Sequence, residues 1–445
     1  MLPDEETPSR NSDPLSGDDY PMSEDLERER RKRVIPIHGR HMVLRIAAFV
    51  VLLGGGIVVI VLSAFGYFRH VEGMQIVSVS EDSKYRAGTG ITFKYYVNGN
   101  GRDTDVKINQ IANVYSRVMK DAYRLTEDTL TFDDMTSIGY LNAHMGEEIG
   151  VDPRLYATLQ EVQGKKAEYG FSPFQGPLRN LWGNILRYRD ASLKKAYDPE
   201  YNAAHAEYIA SYLALLQDES NFTLTFLENN KVKFNVSAAV AKWIDDYDYA
   251  GPILTLGHLR NAYRVEMTRK AVLEAGYTEG VITSDDGFVL SLGGLKGLAY
   301  GLYGFKPLEN AEVIGSYGVD YDECACYVAN APLTAGDPTA YKITLKDDRL
   351  VLRNMTLDPA TGYGATYLSS ALLHGSNGRL VETVASAYRI ARSGNAAELN
   401  TVIASLSRKP IYTIHQEDGT VHLPKSLASR VRLITEDYTL TEYGE

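Results

Sequence analysis

Cysteine, tryptophan and positive charge are all scarce in this sequence. Its 445 residues include two cysteines and two tryptophans, and the 46 lysines and arginines are outnumbered by 57 aspartates and glutamates, for a net charge of -11. The shortage of basic residues argues against a nucleic-acid partner, because phosphate binding needs a positive surface. Two thiols are too few for a structural zinc site. Cys324 and Cys326 lie two residues apart, so the pair is either a strained local disulfide or two free thiols.

Charged side chains are also absent from the apolar run that begins at Ile46 and ends at Phe68. At ~1.5 Å per residue, a helix of this length spans the roughly 30 Å hydrocarbon core of a bilayer. Basic residues cluster between Arg28 and Arg45, whereas Arg69 alone follows the run closely. Since basic flanks stay in the cytoplasm, we predict an uncleaved signal anchor in the cell membrane. The N terminus is then cytoplasmic and the C-terminal domain extracytoplasmic.

Composition divides the chain into five parts. Residues 1–45 are rich in Pro, Ser, Asp and Glu and are predicted to be a disordered cytoplasmic tail. The transmembrane segment, 46–68, is followed by a predicted stalk, 69–88, a folded domain, 89–430, and a C-terminal tail, 431–445. Hairpins alternate with amphipathic helices in the folded domain, which predicts an α+β fold.

Local patterns place the main elements of this domain. Apolar residues at helical spacing predict helices at 106–118, 200–217, 259–275 and 378–391. Asp152 followed by Pro153 predicts the start of another helix. Turn residues between apolar runs predict hairpins within 222–236, 280–292, 341–355 and 411–423. Strands are predicted at 91–97, followed by a turn at 98–101, and at 365–368.

Four stretches resemble the FAD:protein FMN transferase (ApbE) family in their order and spacing. The first combines IGYLN at 138–142 with YGFSPFQGPL at 169–178 and LWG at 181–183. The others are LGHLRNAY at 256–263, LDPATG at 357–362, and the region 369–383 with the hairpin at 414–423. The resemblance implies an ApbE-like T-fold domain that binds FAD. It further implies that FMN is transferred to a threonine of an acceptor protein with the help of Mg²⁺, since a cation neutralises the charge on the leaving AMP.

The resemblance also assigns site residues. The candidate catalytic residues are Thr383 and Arg379, and Thr383 is also the candidate metal ligand. Arg379 stands where the family has a metal-binding aspartate, and a guanidinium repels a cation that a carboxylate attracts. Neutral residues replace family acids or a lysine at three further positions. The candidate cofactor-binding residues are Ser172, Thr255, His258, Asn261, Asp286, Asp358 and Thr361.

Three functions compete on this basis. The chain is a working FMN transferase with substitute metal ligands, a binding module for flavin or another nucleotide without turnover, or a structural protein that docks a partner. One hypothesis for the binding module is that Arg379 contacts the diphosphate in place of the metal. The alternative is a purely structural role for the same side chain, as an ion-pair partner of Glu382.

Overall fold

The computed structural model describes residues 51–52, 69–79, 87–294, 297–304, 312–332, 337–415, 417 and 419–444. The chain divides into two units, Met1–Phe68 and Arg69–Glu445. The predicted tail, and all of the predicted anchor between Ile46 and Phe68 except Val51 and Leu52, lie outside the described residues. Within the described ranges, no helix is long and apolar enough to cross a bilayer.

The second unit is built from strands and helices in mixed order, so the predicted α+β class is confirmed. The helices are α1 Gly101–Thr126, α2 Ile138–Ala143, α3 Pro153–Gly164, α4 Lys166–Tyr169, α5 Gly176–Arg187, α6 Ala191–Tyr197, α7 Ala203–Gln217, α8 Ala238–Asp246, α9 Arg260–Glu274, α10 Leu380–Ala391 and α11 Ala396–Ser405. The strands are β1 His70–Val77, β2 Ile91–Asn100, β3 Glu148–Gly150, β4 Phe222–Leu227, β5 Lys231–Val236, β6 Gly280–Ser284, β7 Phe288–Ser291, β8 Leu298–Gly304, β9 Glu312–Val319, β10 Glu323–Ala329, β11 Ala340–Thr344, β12 Leu350–Asn354, β13 Leu368–Ser376, β14 Ile411–Ile414, β15 Thr420–Pro424, β16 Val431–Leu433 and β17 Thr439–Tyr443.

A large sheet organises this unit. In the described part of the chain it has nine strands in the order β1-β2-β6-β7-β10-β13-β14-β15-β17. Neighbouring strands are antiparallel, except that β15 and β17 run parallel. Smaller sheets are formed by β11-β12, by β16-β9-β8 and by β3-β5-β4.

Side chains from the two faces of the large sheet enter two different cores. On β10, Cys324 and Cys326 belong to the main core with helices α1, α9 and α10, whereas Ala325 and Tyr327 pack with β9 and β16. This alternation follows from the two-residue period of a strand. Because both faces are covered, the inner strands β7, β10 and β13 are buried along almost their whole length.

Both cysteines are free thiols, so the interpretation as a strained local disulfide is not borne out. Burial raises the pKa of Cys324 to about 11, which keeps this thiol protonated. Its Sγ lies 3.2 Å from the carbonyl oxygen of Ser376. The thiol is therefore a buried structural group, because the nucleophilic form of cysteine is the thiolate.

Three predictions that rested on local turn and capping chemistry are confirmed. Asn229 and Asn230 have φ of 58° and 54°, as a two-residue hairpin turn requires. The Asp152 side chain caps α3 by accepting a hydrogen bond from the Arg154 amide at 2.8 Å. Helix α9 ends before Gly276, whose φ is +85°.

The boundaries of several elements differ from the predictions. The predicted stalk contains β1, which pairs with β2 along its whole length. Residues 98–101 form no hairpin turn, because the Asn100 side chain caps α1 and Gly101 begins that helix. The strand predicted at 365–368 instead starts at Leu368 and runs to Ser376. The predicted C-terminal tail contains β16 and β17, which join two sheets.

Candidate functional site

Three of the candidate cofactor-binding residues meet around the start of α9. Thr255 donates a hydrogen bond from Oγ1 to Asp128 Oδ2 at 2.5 Å, and Arg260 Nη1 contacts Asp128 Oδ1 at 3.0 Å. Asn261 Nδ2 donates to Asp286 Oδ2 at 2.7 Å. Burial raises the pKa of Asp286, and the bond from Asn261 opposes that rise. These polar groups therefore satisfy one another and join α9 to the end of α1 and to the β6–β7 turn.

The fourth residue in this region, His258, lies in an aromatic stack. Its ring is parallel to Tyr388 of α10, with centroids 4.1 Å apart, and meets the edge of Phe171 at 5.0 Å. The imidazole Nε2 is buried without a hydrogen-bond partner among the described residues. Burial, together with Arg179 and Arg392, holds the pKa of His258 well below its usual value. The ring is therefore neutral at physiological pH.

The depressed pKa of His258 predicts a specific pH dependence of stability. In the unfolded chain this histidine takes up a proton below about pH 6.5, whereas the folded chain resists it. The free energy of unfolding should then fall by up to about 1.4 kcal/mol per pH unit as the pH drops below that value. Denaturant unfolding at pH 7.5 and 5.5 should show a smaller decrease in His258→Phe, which keeps the stack.

The matched control is His70→Phe, since the His70 side chain is 62% exposed. That variant should keep the full decrease between the two pH values. An equal decrease in the wild-type chain and in His258→Phe would contradict the assignment.

Thr383 and Arg379 lie at the start of α10. The Thr383 hydroxyl donates to the Arg379 carbonyl oxygen at 2.8 Å and lies 3.4 Å from Cys324 Sγ. The Arg379 guanidinium forms an ion pair with Glu382, which also binds Lys165 at 3.3 Å. Arg379 is thus an ion-pair partner of Glu382 in this structure.

This arrangement does not suit Mg²⁺. A magnesium site needs several oxygen ligands, usually with carboxylates among them. Here the Thr383 oxygen already has two partners, and the adjacent residue in the chain, Glu382, is held by two cations. Among the described residues, no group of three or more His, Cys, Asp and Glu side chains is placed to hold a metal ion.

Two cavities open beside Arg379. The larger, here called the α9 cavity, has a volume of about 680 Å³ and lies between α3, α9 and the start of α10. The smaller, of about 110 Å³, lies on the side of Thr383 and Arg408. The α9 cavity is lined by Val118, Arg154, Ala157, Thr158, Glu161, Tyr263, Glu266, Met267, Lys270, Ala271, Glu274, Gly378, Arg379, Leu380, Val381 and Glu382.

The remaining candidate residues have local structural contacts. Asp358 accepts hydrogen bonds from the Ala360 amide at 2.9 Å and from Thr361 Oγ1 at 3.0 Å. The turn is held further by Trp182, whose indole donates to the Gly362 carbonyl at 2.7 Å. Ser172 Oγ accepts from the amide of residue 174 at 3.3 Å. Asp358, Thr361 and Ser172 thus stabilise turns, and no contact between them and the Thr383 pair is present in the described residues.

Sequence reasoning missed several residues of this region. Asp128, the partner of Thr255, is 127 positions away in the chain and has no motif around it. Tyr388 lies one turn beyond the part of α10 that carried the resemblance. Arg179 lies between the GPL and LWG segments that carry the resemblance, so its charge inside an apolar run was the available signal.

Solved structures of other proteins have a fold similar to that of this chain. No protein-family model and no curated protein matches the sequence. The crystal structure of the ApbE protein from Thermotoga maritima is 14% identical, covers 82% of this chain and 100% of its own, and superposes with a TM-score of 0.53. The flavin transferase ApbE from Vibrio cholerae is 11% identical over 78% of this chain and 94% of its own, with a TM-score of 0.46.

The class of domain is therefore an α+β fold with one large, doubly covered sheet. Within that class the fold is ApbE-like, on the evidence of the Thermotoga maritima structure. At this identity the likeness establishes the fold and leaves the activity to be argued from the site.

Proposed function

We propose that the domain binds a flavin nucleotide in the α9 cavity, without Mg²⁺ and without transferring FMN. The observation that carries the proposal is a cavity of about 680 Å³ that opens at the start of α10, where Arg379 replaces the expected metal ligand. Ligand sites typically have volumes of ~300–1,000 Å³. The cavity is thus large enough for a nucleotide.

The lining combines apolar surface with a few polar groups, as small-molecule sites do. Met267, Leu380 and Val381 offer apolar contacts for a planar ring. The Tyr263 hydroxyl is buried and has no hydrogen-bond partner among the described residues. A ring system with polar edges, such as an isoalloxazine, suits both features.

The start of α10 supplies groups for the negatively charged part of the ligand. Arg379 is the N-cap residue, and its side chain does not cap the helix. The first amides of a helix carry partial positive charge and bind phosphates readily. The Arg379 side chain is 63% exposed, so its guanidinium can exchange Glu382 for a diphosphate. Glu382 then keeps its ion pair with Lys165.

Transfer of FMN requires charge neutralisation at the phosphorus under attack, which Mg²⁺ supplies in the family that the sequence resembles. Here the carboxylate is missing and Thr383 is engaged by Arg379 and Cys324. We therefore propose binding without turnover. The second candidate, FMN transfer to a threonine of an acceptor protein, is favoured by the ApbE-like fold and the retained Thr383.

The setting proposed for this domain is the outer side of the cell membrane. The basis is the apolar run between Ile46 and Phe68 and the basic residues before it. An extracytoplasmic flavin site would be open to partners on that side of the membrane.

The test is titration of FAD into the full-length chain, in EDTA and then in Mg²⁺, followed by flavin fluorescence. We expect the same affinity in both buffers. Arg379→Gln should weaken binding by about tenfold or more, since a hydrogen bond to a charged group contributes ~1.5–3 kcal/mol. Arg349→Gln is the matched control, because Arg349 is exposed and pairs only with Asp347 among the described residues.

Three other outcomes of this titration would each contradict a part of the proposal. Binding that requires Mg²⁺ would overturn the role of Arg379. Release of AMP, with fluorescent labelling of a threonine-bearing acceptor protein, would establish the transferase instead. Absence of FAD binding in both buffers would leave the structural, partner-docking alternative.

A further inference from the structure

The smaller cavity beside Arg379, here called the β13 cavity, has a volume of about 110 Å³ and lies where the large sheet loses a strand. Strand β14 pairs with β13 only as far as Leu372, opposite Ile411, whereas β13 runs four residues further. Pro410 precedes Ile411 and has no N–H group, so it cannot donate a ladder hydrogen bond. The edge of β13 therefore stays open beyond Leu372, and residues 406–408 border the space beside it.

Two arginines line this cavity, and each can release its present partner. Arg408 has one partner among the described residues, since its Nη1 lies 3.3 Å from Glu323 Oε1. Arg430 binds both oxygens of the same carboxylate, so Glu323 keeps an ion pair when Arg408 turns away. Arg379 is likewise one of two cations on Glu382. The side chains of Arg379 and Arg408 are 63% and 40% exposed, so both can reach an anion that enters from solvent.

Serine hydroxyls add uncharged donors to the same lining. Ser386 follows Arg379 by seven residues, which is two turns of α10, so the two side chains lie on the same side of the helix. Ser376 and Ser407 also line the cavity. Among the described residues, none of these three hydroxyls has a hydrogen-bond partner. The lining is therefore rich in donors, and Glu382 is its one carboxylate in the described part of the chain.

His374 contributes a buried polar atom that lacks a partner. The residue lines the cavity and is 9% exposed, and its Nδ1 has no hydrogen-bond partner among the described residues. Burial lowers the pKa of His374 to about 4, so the ring is neutral at physiological pH. A neutral imidazole either donates or accepts at Nδ1, depending on its tautomer. Because buried polar groups are almost always hydrogen-bonded, an oxygen of a bound ion would supply the missing partner.

The size of the cavity and the chemistry of its lining define the class of ligand. A nucleotide or other drug-sized ligand occupies a site of ~300–1,000 Å³, which is larger than the β13 cavity. Water occupies ~30 Å³ per molecule, so the cavity has room for a few water molecules or one tetrahedral ion. Guanidinium forks bind ions that offer several acceptor oxygens, and they repel cations.

We propose that the β13 cavity binds a small tetrahedral oxyanion, phosphate or sulfate, between Arg379 and Arg408. The guanidiniums supply charge-assisted hydrogen bonds, and Ser386 and Ser407 contact the remaining oxygens. The site does not rest on flavin binding, because Arg408 and both serines line the β13 cavity and not the α9 cavity. Arg379 borders both cavities, so a bound oxyanion and a flavin nucleotide compete for it.

The experiment is calorimetric titration of inorganic phosphate, and separately of sulfate, into the flavin-free full-length chain. Arg408→Gln should weaken binding of both ions by about tenfold or more. It should still fold, as circular dichroism can check, since Glu323 retains Arg430. Ser386→Ala removes a single oxygen atom and should weaken binding by a smaller factor. Arg349→Gln, at an exposed pair, is the control and should bind both ions as the wild-type chain does.

The comparison of the two ions identifies the role of His374. Phosphate bound more tightly than sulfate indicates that Nδ1 accepts the proton of hydrogen phosphate, which sulfate lacks at neutral pH. Equal or tighter binding of sulfate indicates that Nδ1 donates. The proposal is overturned if the wild-type chain binds neither ion, if binding survives in both Arg408→Gln and Ser386→Ala, or if chloride binds equally well.

Parallel titration of FAD separates this proposal from the flavin function. Arg408→Gln should leave the affinity for FAD unchanged, whereas Arg379→Gln should weaken the binding of FAD and of phosphate. A chain that binds phosphate but not FAD would contradict the flavin proposal alone. A chain that binds FAD but neither phosphate nor sulfate would contradict the oxyanion site alone.

Discussion

Replacing Asp198 with asparagine is expected to lower the free energy of unfolding by about 3–5 kcal/mol. Asp198 is completely buried, and its Oδ2 binds Arg353 Nε at 2.9 Å and the Tyr341 hydroxyl at 2.6 Å. Arg353 is also 93% buried, and it lies over the ring of Tyr363 at 5.1 Å. Removing the carboxylate charge leaves this guanidinium inside the core without its counter-charge. Urea unfolding monitored by circular dichroism measures the loss.

An exposed pair of the same chemistry provides the control. Asp347 and Arg349 lie 2.8 Å apart with more than half of each side chain exposed, so Asp347→Asn should lower the free energy of unfolding far less than Asp198→Asn does. The double variant Asp198→Asn/Arg353→Met should recover part of the loss, because both buried charges are then gone. A loss in Asp198→Asn as small as that in Asp347→Asn would contradict the account.

Local chemistry made much of the fold predictable from the sequence. The Asn229-Asn230 turn, the Asp152 cap and the glycine after α9 each act within a few residues, so their patterns are visible in the chain. One prediction failed where a single residue has two roles. Asn100 ends β2 and also caps α1, so an expected turn became a helix start.

The candidate site was less predictable, because its contacts join distant parts of the chain. The resemblance placed Thr255, His258, Asn261 and Asp286 in one region, and of these four Asn261 and Asp286 contact each other. It could not indicate that Asp128 and Tyr388 would engage Thr255 and His258. Those contacts fill the region with side chains that bind one another, which is why the open space beside Arg379 is the better place for a ligand.

The turn that carries Asp286 leads to the second large prediction. Gly287→Ala should lower the free energy of unfolding by about 2–5 kcal/mol, from the left-handed backbone strain and from overpacking. Gly287 has a φ of +94°, and a Cβ there would lie 2.0 Å from the Tyr327 carbonyl oxygen. The backbone bond from the Tyr327 amide to the Gly287 carbonyl, 2.8 Å long, must then stretch. Strand β7 would move away from β10 and carry Asp286 away from Asn261.

Gly276→Ala separates the two causes of this loss. Gly276 has a similar φ of +85°, but a Cβ there would have no heavy atom within 4 Å. It should therefore cost only the strain of about 1–2 kcal/mol. Denaturant unfolding of both variants gives the difference, which measures the clash with β10. Equal losses would mean that backbone strain alone makes glycine necessary at the β6–β7 turn, and that β10 does not fix the position of Asp286.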